Sequence, residues 1–350
     1  MRRKELILFN KLNENQLFLI MHLCQYQTLD YQTCLLSLNS GDKIKASYAF
    51  RPLTKNKYIS KHKDSSVHIL SKGRALFSKT KPLVTLGGGS KQRINSISRT
   101  AMYLKLAGFK SVSEPDSSSG FFIPSTCWRN IRHGILSNVK FTGMFCVGEL
   151  RLAVYDIGDG KMDWQIRAER SLFYPRFGEE FKTTATGMLL ICDEDKRVEI
   201  AKRIIKETMW HRKRLIEYES YEERHRPVKY SRAPIRVAHY FEHVYLTTPS
   251  RIGRTLANIR EEQKCIKKYR SNADYSNHNN KDCDFYAGSQ RIYVNLTTDL
   301  LKYVYFFTQV KEDYENGRTN YALITQTEDL PIAEMYPKLS ELEGWEIYEY

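Results

Sequence analysis

Lys43, Lys45, Ser47, Tyr48 and Arg51 fall within nine residues, and each carries a donor able to reach a base edge or a phosphate oxygen in a nucleic-acid groove. Lys55, Lys57, Lys61, Lys63, Lys72 and Arg74 follow, cations of the kind that hold a phosphate backbone. From Lys43 to Lys110 there are sixteen lysines and arginines and one acid, Asp64, a net +15 over 68 residues. Residues 1–140 hold 23 basic and 7 acidic groups, and residues 141–350 hold 32 and 33, so the excess of +15 sits entirely in the front of the chain. A surface of this composition cannot mix its signs as an ordinary solvated face does, and a polyanion relieves its self-repulsion.

Other chemistries are weaker in the residues. His239-Tyr240-Phe241-Glu242-His243 fits a two-histidine zinc pattern, which requires a helix to bring both imidazoles to one metal. The pentapeptide lies between Pro234 and Pro249 and runs into the β-prone Val244-Tyr245-Leu246, so neither a metal nor a cofactor is expected. Glu149, Asp156, Asp159, Asp163 and Glu169 supply carboxylates for a metal-dependent nuclease, the alternative function, but without the spacing of a nuclease set. Asp193-Glu194-Asp195 follows a strand pattern, where acids also suit a helix start. Gly87-Gly88-Gly89-Ser90-Lys91 lacks the spacing of a phosphate loop and reads as part of a flexible connection over residues 82–90. The seven cysteines include no C-x-x-C pair and read as reduced thiols.

These side chains need elements to position them. Leu17, Ile20, Met21 and Cys24 have helical spacing, and Thr28-Leu29-Asp30 is expected to open a second short helix carrying Leu35, Leu36 and Leu38. Asp42 can cap a third helix, with Ile44, Tyr48 and Leu53 inward, Lys43, Lys45, Ser47 and Arg51 outward, and Pro52 kinking or ending it. Residues 58–61 and 67–70 read as two strands around the polar tip His62-Lys63-Asp64-Ser65-Ser66, and Ser71 is expected to cap a closing helix. Helix, helix, basic helix, ribbon, helix is the order of a winged helix-turn-helix, in which the third helix enters the major groove and the ribbon follows the backbone.

Further on, a helix is expected over 97–107, ended by Gly108, and another over 125–135. From residue 141 the patterning alternates between strands, at 141–147, 151–157, 186–192 and 244–247, and helices, at 165–173, 195–218 and 251–269, which predicts an α/β domain. Residues 271–284 read as an exposed loop. Further strands are expected at 291–296, 303–307, 321–325 and 345–348, with a helix near 331–339. The domain reading is therefore a winged helix-turn-helix at 1–80, a linker and helical connector at 81–140, and an α/β domain without an assigned role at 141–350. No run of eighteen apolar residues occurs, so a cytoplasmic protein without a membrane partner is expected.

Leu53-Thr54-Lys55-Asn56-Lys57-Tyr58-Ile59, Ile69-Leu70-Ser71-Lys72-Gly73, Phe122-Ile123-Pro124-Ser125, and Phe141-Thr142-Gly143-Met144 leading to Ala153-Val154-Tyr155 occur in that order. With these pieces, residues 13 to about 170 resemble the replication-relaxation family, winged-helix proteins of plasmids and integrated conjugative elements of Gram-positive bacteria. The resemblance covers somewhat under half of the chain and implies DNA binding in replication, transfer or control of a mobile element. The expected function is that of a DNA-binding accessory or regulatory protein on double-stranded DNA. A scaffold tethered to DNA in a transfer complex is a further alternative, and replication or transfer proteins and a second copy of the chain are compatible partners.

Overall fold

The computed structural model describes residues 12–39, 41–77, 88–111, 120–129, 141–147, 150–160, 187–222, 243–270, 283–315, 320–335 and 345–349. The fold is mixed α+β and divides into two compact units, residues 1–130 and 131–350. Among the described residues, no helix is long and apolar enough to cross a membrane. All seven cysteines are free thiols, with Cys34, Cys146 and Cys192 buried. Burial pushes the Cys192 thiol up to about 12, which leaves it without the thiolate that reactive cysteines need.

The first unit begins with α1, Glu14–Tyr26, started by a capping box in which Asn13 accepts from Gln16 N at 2.9 Å and donates its own N–H to Gln16 Oε1 at 3.0 Å. Next come β1, Thr28–Asp30, and α2, Tyr31–Leu38, capped by Asp30. Residues 28–30 are thus a strand rather than the start of a helix. They pair antiparallel with β3, Ser66–Ile69, which also pairs with β2, Ile59–Lys61, in the order β1-β3-β2. Three backbone positions gain partners through that pairing, which outweighs local helix preference.

Helix α3, Lys43–Lys55, is capped by Asp42, whose Oδ1 accepts from Ile44 N at 2.9 Å and Lys45 N at 3.0 Å. Its buried residues are Ala46, Phe50 and Leu53, spaced four and three apart on one face. That register corrects the expected one, since Ile44 is 70% and Tyr48 62% exposed. Pro52 lies inside the helix and does not end it. Helix α4, Ser71–Ala75, is preceded by Leu70 at the N-cap, and no side chain caps it, contrary to the role expected of Ser71.

Helix α5, Gly88–Leu106, includes Gly88 and Gly89, which the sequence placed in a flexible connection. Within the stretch expected as linker and helical connector, α5 packs into the first unit. Met102 of α5 belongs to the core built by Leu19, Ile20, Leu23, Leu29, Phe50, Leu53, Tyr58 and Val67. Buried polar bonds add to this packing: His22 Nε2 lies 3.0 Å from both Ser98 O and Ser98 Oγ, and Thr33 Oγ1 lies 3.2 Å from Tyr103 OH. Gly108, at φ +88°, ends the turn after α5 as expected. Strand β4, Lys110–Ser111, pairs parallel with β5, Phe121–Pro124, and a short α6, Thr126–Arg129, follows; the rest of the helix expected to residue 135 lies outside the described residues.

His22 gives this unit a pH signature. Its Nε2 faces a carbonyl and so carries the proton, leaving Nδ1 to accept from Lys105 Nζ at 3.3 Å. Burial, then the nearby Lys105 charge, hold His22 well below 6.5, and burial lowers Lys105 to about 8. Below pH 6.5 the unfolded chain therefore takes up a proton that the folded unit refuses. Stability falls there by about 1.4 kcal/mol per pH unit from this group until its folded pKa is reached. Between about 8 and 10.5 the unfolded Lys105 is the more protonated state, so its contribution increases with pH in that window. Denaturant unfolding of the full chain should show a steep acid limb below pH 6.5 that becomes shallower in His22→Gln. Identical limbs would refute this assignment.

In the second unit, β6, Gly143–Val147, pairs antiparallel with β7, Leu150–Gly158. Then β7, β8, Gly187–Cys192, and β9, His243–Thr247, are parallel neighbours. Strand β8 is buried at every position, as its unbroken apolar sequence requires of a central parallel strand. A single 3-10 turn, Glu194–Lys196, leads into α7, Arg197–Glu222, and α8, Ile252–Arg270, follows β9. A second sheet has the order β10, Phe285–Ala287, β11, Gln290–Asn295, β12, Tyr321–Thr325, and β13, Trp345–Glu349, of which the last three are parallel.

Residues 303–307 are not a strand. They lie in α9, Leu300–Glu315, which joins β11 to β12. Tyr303, Val304, Phe306, Phe307 and Val310 are all buried there, so an apolar run that mimics a strand is the buried part of a helix. Helix α10, Leu330–Ala333, is shorter than the helix expected near 331–339: Glu334 and Met335 form a turn, and residues 336–339 lie outside the described residues. The helix expected at 165–173 and most of the 271–284 loop lie outside the described residues.

Candidate nucleic-acid interface

Lys43, Lys45 and Arg51 are exposed on α3, Ser47 is half-buried, and Tyr48 stands exposed beside them. Lys55 and Lys57 are exposed at the C-terminal end of α3 and just beyond it. Lys61 and Lys63 are exposed on β2 and at the hairpin tip, Lys72 is exposed on α4, and Arg74 is half-buried there. Among the described residues, Lys45 with Asp42 at 3.5 Å is the one ion pair these nine cations make, and it is largely open to solvent. An exposed pair of this sort contributes little and is screened by salt.

Aromatic rings hold several of the cations. The Arg51 guanidinium carbon sits 4.9 Å from the centre of the Tyr48 ring, Lys61 Nζ 3.4 Å from that of Tyr31, and Lys72 Nζ 4.9 Å from that of Tyr58. Such contacts fix a cation without neutralising it. Tyr31 also meets Phe50 of α3 edge-on, at 5.0 Å and 81°. One ring therefore touches both the helix and, through Lys61, the β2–β3 ribbon. Sequence reasoning missed Tyr31, which lies more than ten residues before the basic stretch and gave no signal.

The ribbon turns tightly at its tip. His62 N donates to Ser66 O at 2.8 Å, Ser65 N donates to His62 O at 3.1 Å, and Ser65 takes φ 62°. Asp64, the one acid of the basic stretch, accepts from Ser66 N at 3.1 Å and Ser66 Oγ at 2.6 Å, and pairs with Lys91 of α5 at 2.6 Å. Lys91 and then Ser66 hold its carboxyl far below the usual carboxylate range. The acid is thus committed to shaping the tip and tying it to α5. At the ribbon's base, a Cβ on Gly73 of α4 would lie 2.5 Å from Tyr58 O and 2.6 Å from Ile69 Cδ1, so the closing helix approaches both strands more closely than any side chain permits.

The alternative site residues of the second unit divide. Asp156 is half-buried on β7 and Asp159 is exposed after it, whereas Glu149, Asp163 and Glu169 lie outside the described residues. Of the histidine motif, His239 to Glu242 lie outside the described residues and His243 is the first residue of β9. Its Nδ1 pairs at 2.8 Å with fully buried Asp299, whose Oδ1 also accepts from Val244 N at 3.1 Å and Leu301 N at 3.0 Å. Burial opposes the imidazolium here, but the Asp299 hydrogen bond and charge raise His243 above its ordinary value. Asp299 thereby joins β9 to the start of α9, a structural task.

Lys302 of α9 makes a similar tie, bonding Glu262 at 2.6 Å and Val294 O at 2.8 Å. Arg197 and Asp329 are buried against each other, with Arg197 Nη2 donating to Glu328 O at 2.7 Å and Thr298 Oγ1 to Asp329 at 2.6 Å. No group of three or more histidines, cysteines and acids able to hold a metal occurs among the described residues. Glu194, at the carboxyl end of β8, accepts from Ser250 N at 2.8 Å, which gives that acid a loop-bracing role.

Comparison of the chain with protein-family models, curated proteins and solved structures returns no match.

Proposed function

We propose that residues 12–106 form a winged helix-turn-helix that binds double-stranded DNA, with α2 and α3 as the helix-turn-helix and the β2–β3 ribbon as the wing. In this reading α3 enters the major groove while Lys55, Lys57, Lys61, Lys63, Lys72 and Arg74 hold phosphates. The observation that carries it is the set of nine cations on and around α3, the ribbon and α4: eight have no carboxylate partner among the described residues, and three are fixed by aromatic rings. The family resemblance supports a role as an accessory or regulatory protein of a mobile element, in replication, transfer or transcription control.

Fluorescence anisotropy of the full chain on labelled duplexes tests this. If about five to eight phosphates are neutralised, log K should fall with log salt at a slope of roughly −4.5 to −7. Arg51→Ala and Lys45→Ala should narrow the gap between preferred and random DNA, whereas Lys61→Ala and Lys63→Ala should weaken both alike, because groove contacts specify and backbone contacts position. No binding, or binding indifferent to salt, would remove this function.

A further inference from the structure

Ile44 is the anomaly on α3. It is 70% exposed between Lys43 and Lys45, and Tyr48, four residues on, is 62% exposed. Residues four apart lie on one face of a helix, so α3 presents an apolar pair within a field of cations. The inward face already has Ala46, Phe50 and Leu53. The exposed pair therefore stands outside the unit's own core, open to a partner.

The occupant must accept Lys43, Lys45 and Arg51 together with an aliphatic side chain and a ring. A second copy of the same face would bring these cations against their own kind, with only Asp42 to offset them, and both Asp42 oxygens are engaged, one by Ile44 N and Lys45 N and the other by Lys45 Nζ. A DNA major groove meets both demands. It is polyanionic, and its floor carries one apolar group, the C5 methyl of thymine.

We infer that Ile44 and Tyr48 read thymine methyl groups in the major groove and so set the sequence preference of α3. This deepens the DNA-binding reading and rests on it. Four residues of helix rise about 6 Å, and base pairs stack 3.4 Å apart along each strand, so the two thymines should lie within about two base pairs of each other. Arg51, steadied over the Tyr48 ring at 4.9 Å, is placed to add a guanine contact on the same stretch, since Arg bidentate to guanine is the commonest specific base contact.

The test removes the methyl groups and nothing else. A preferred duplex is first selected from a random pool with the full chain, and each thymine in it is then replaced singly by uracil. One or two positions within about two base pairs should lose affinity roughly fourfold, the equivalent of returning one methyl group to water. The loss at one of them should vanish in Ile44→Ala and at the other in Tyr48→Ala, variants at exposed positions that leave the core intact. DNA binding with no uracil-sensitive position would overturn the inference and leave the proposed function standing. Uracil sensitivity that persists unchanged in both variants would also overturn it, as would a fall in the mass of the free protein on Ile44→Ala without any uracil effect, which would assign the face to a second copy. Failure to bind any duplex would remove the underlying function itself.

Discussion

Replacing Asp329 by alanine is expected to destabilise the second unit by roughly 3–5 kcal/mol, the penalty for leaving a buried charge without its partner. Arg197 and Asp329 have side chains 6% and 0% exposed, so water cannot take over when the carboxylate goes. Glu328 O continues to accept from Arg197 Nη2, but it carries no net charge to balance the guanidinium. Thr298 Oγ1 loses its acceptor at the same time. The double variant Arg197→Leu with Asp329→Leu should recover most of the loss, because removing both charges also removes their desolvation. Denaturant midpoints for the three chains check this. A cost below about 1 kcal/mol for Asp329→Ala would mean that the pair is not buried as described.

Gly73→Ala is the second change with a large expected effect. The new Cβ would stand 2.5 Å from Tyr58 O, a backbone atom that also accepts from Leu70 N at 2.9 Å and cannot move without disturbing the base of the ribbon. Rotation of Ile69 could relieve its own 2.6 Å contact but not that of the carbonyl. Alanine would gain about 1 kcal/mol of helix propensity in α4, against overpacking of about 1–3 kcal/mol, at its upper end here because the clash is with backbone, so the net change is destabilising. Thermal unfolding should show a lower Tm for the first unit. Affinity for DNA should also fall, because Lys61 and Lys63 ride on the displaced strands. An unchanged or raised Tm would contradict the close packing of α4 on β2 and β3.

Much of the first unit was legible because its signals are local. Asp42 announced the start of α3, and the polar tip between two short β-prone runs announced the ribbon. The register of α3 was misread because Ile44 and Tyr48 were assigned inward with Leu53, while Ala46 and Phe50 were passed over. Phe50 and Leu53 point back to Ala46, which excludes Ile44 from the same face, so the spacing itself held the correction. Residues 300, 303, 304 and 307 likewise repeat at helical spacing behind Asp299, and only the aromatic character of Tyr303 to Phe307 suggested a strand. Strand β1 could not be found locally, since Leu29 becomes extended only by pairing with Val67. The ion pairs of the second unit were equally hidden, Arg197 and Asp329 being 132 positions apart.

The packing of α5 also sets the order in which the first unit can be completed on the ribosome. His22 must wait for Ser98, 76 residues later, which at translation rates of about 5–20 residues per second is roughly 4–15 s. Until then α1 and α2 exist beside a core that lacks Met102, and the site for Lys105 next to Gln25 and His22 has no occupant. A nascent chain ending near residue 80 carries all of the basic helix and ribbon but an incomplete apolar interior. The basic helix and ribbon are therefore synthesised before the α5 residues that complete the interior beneath them.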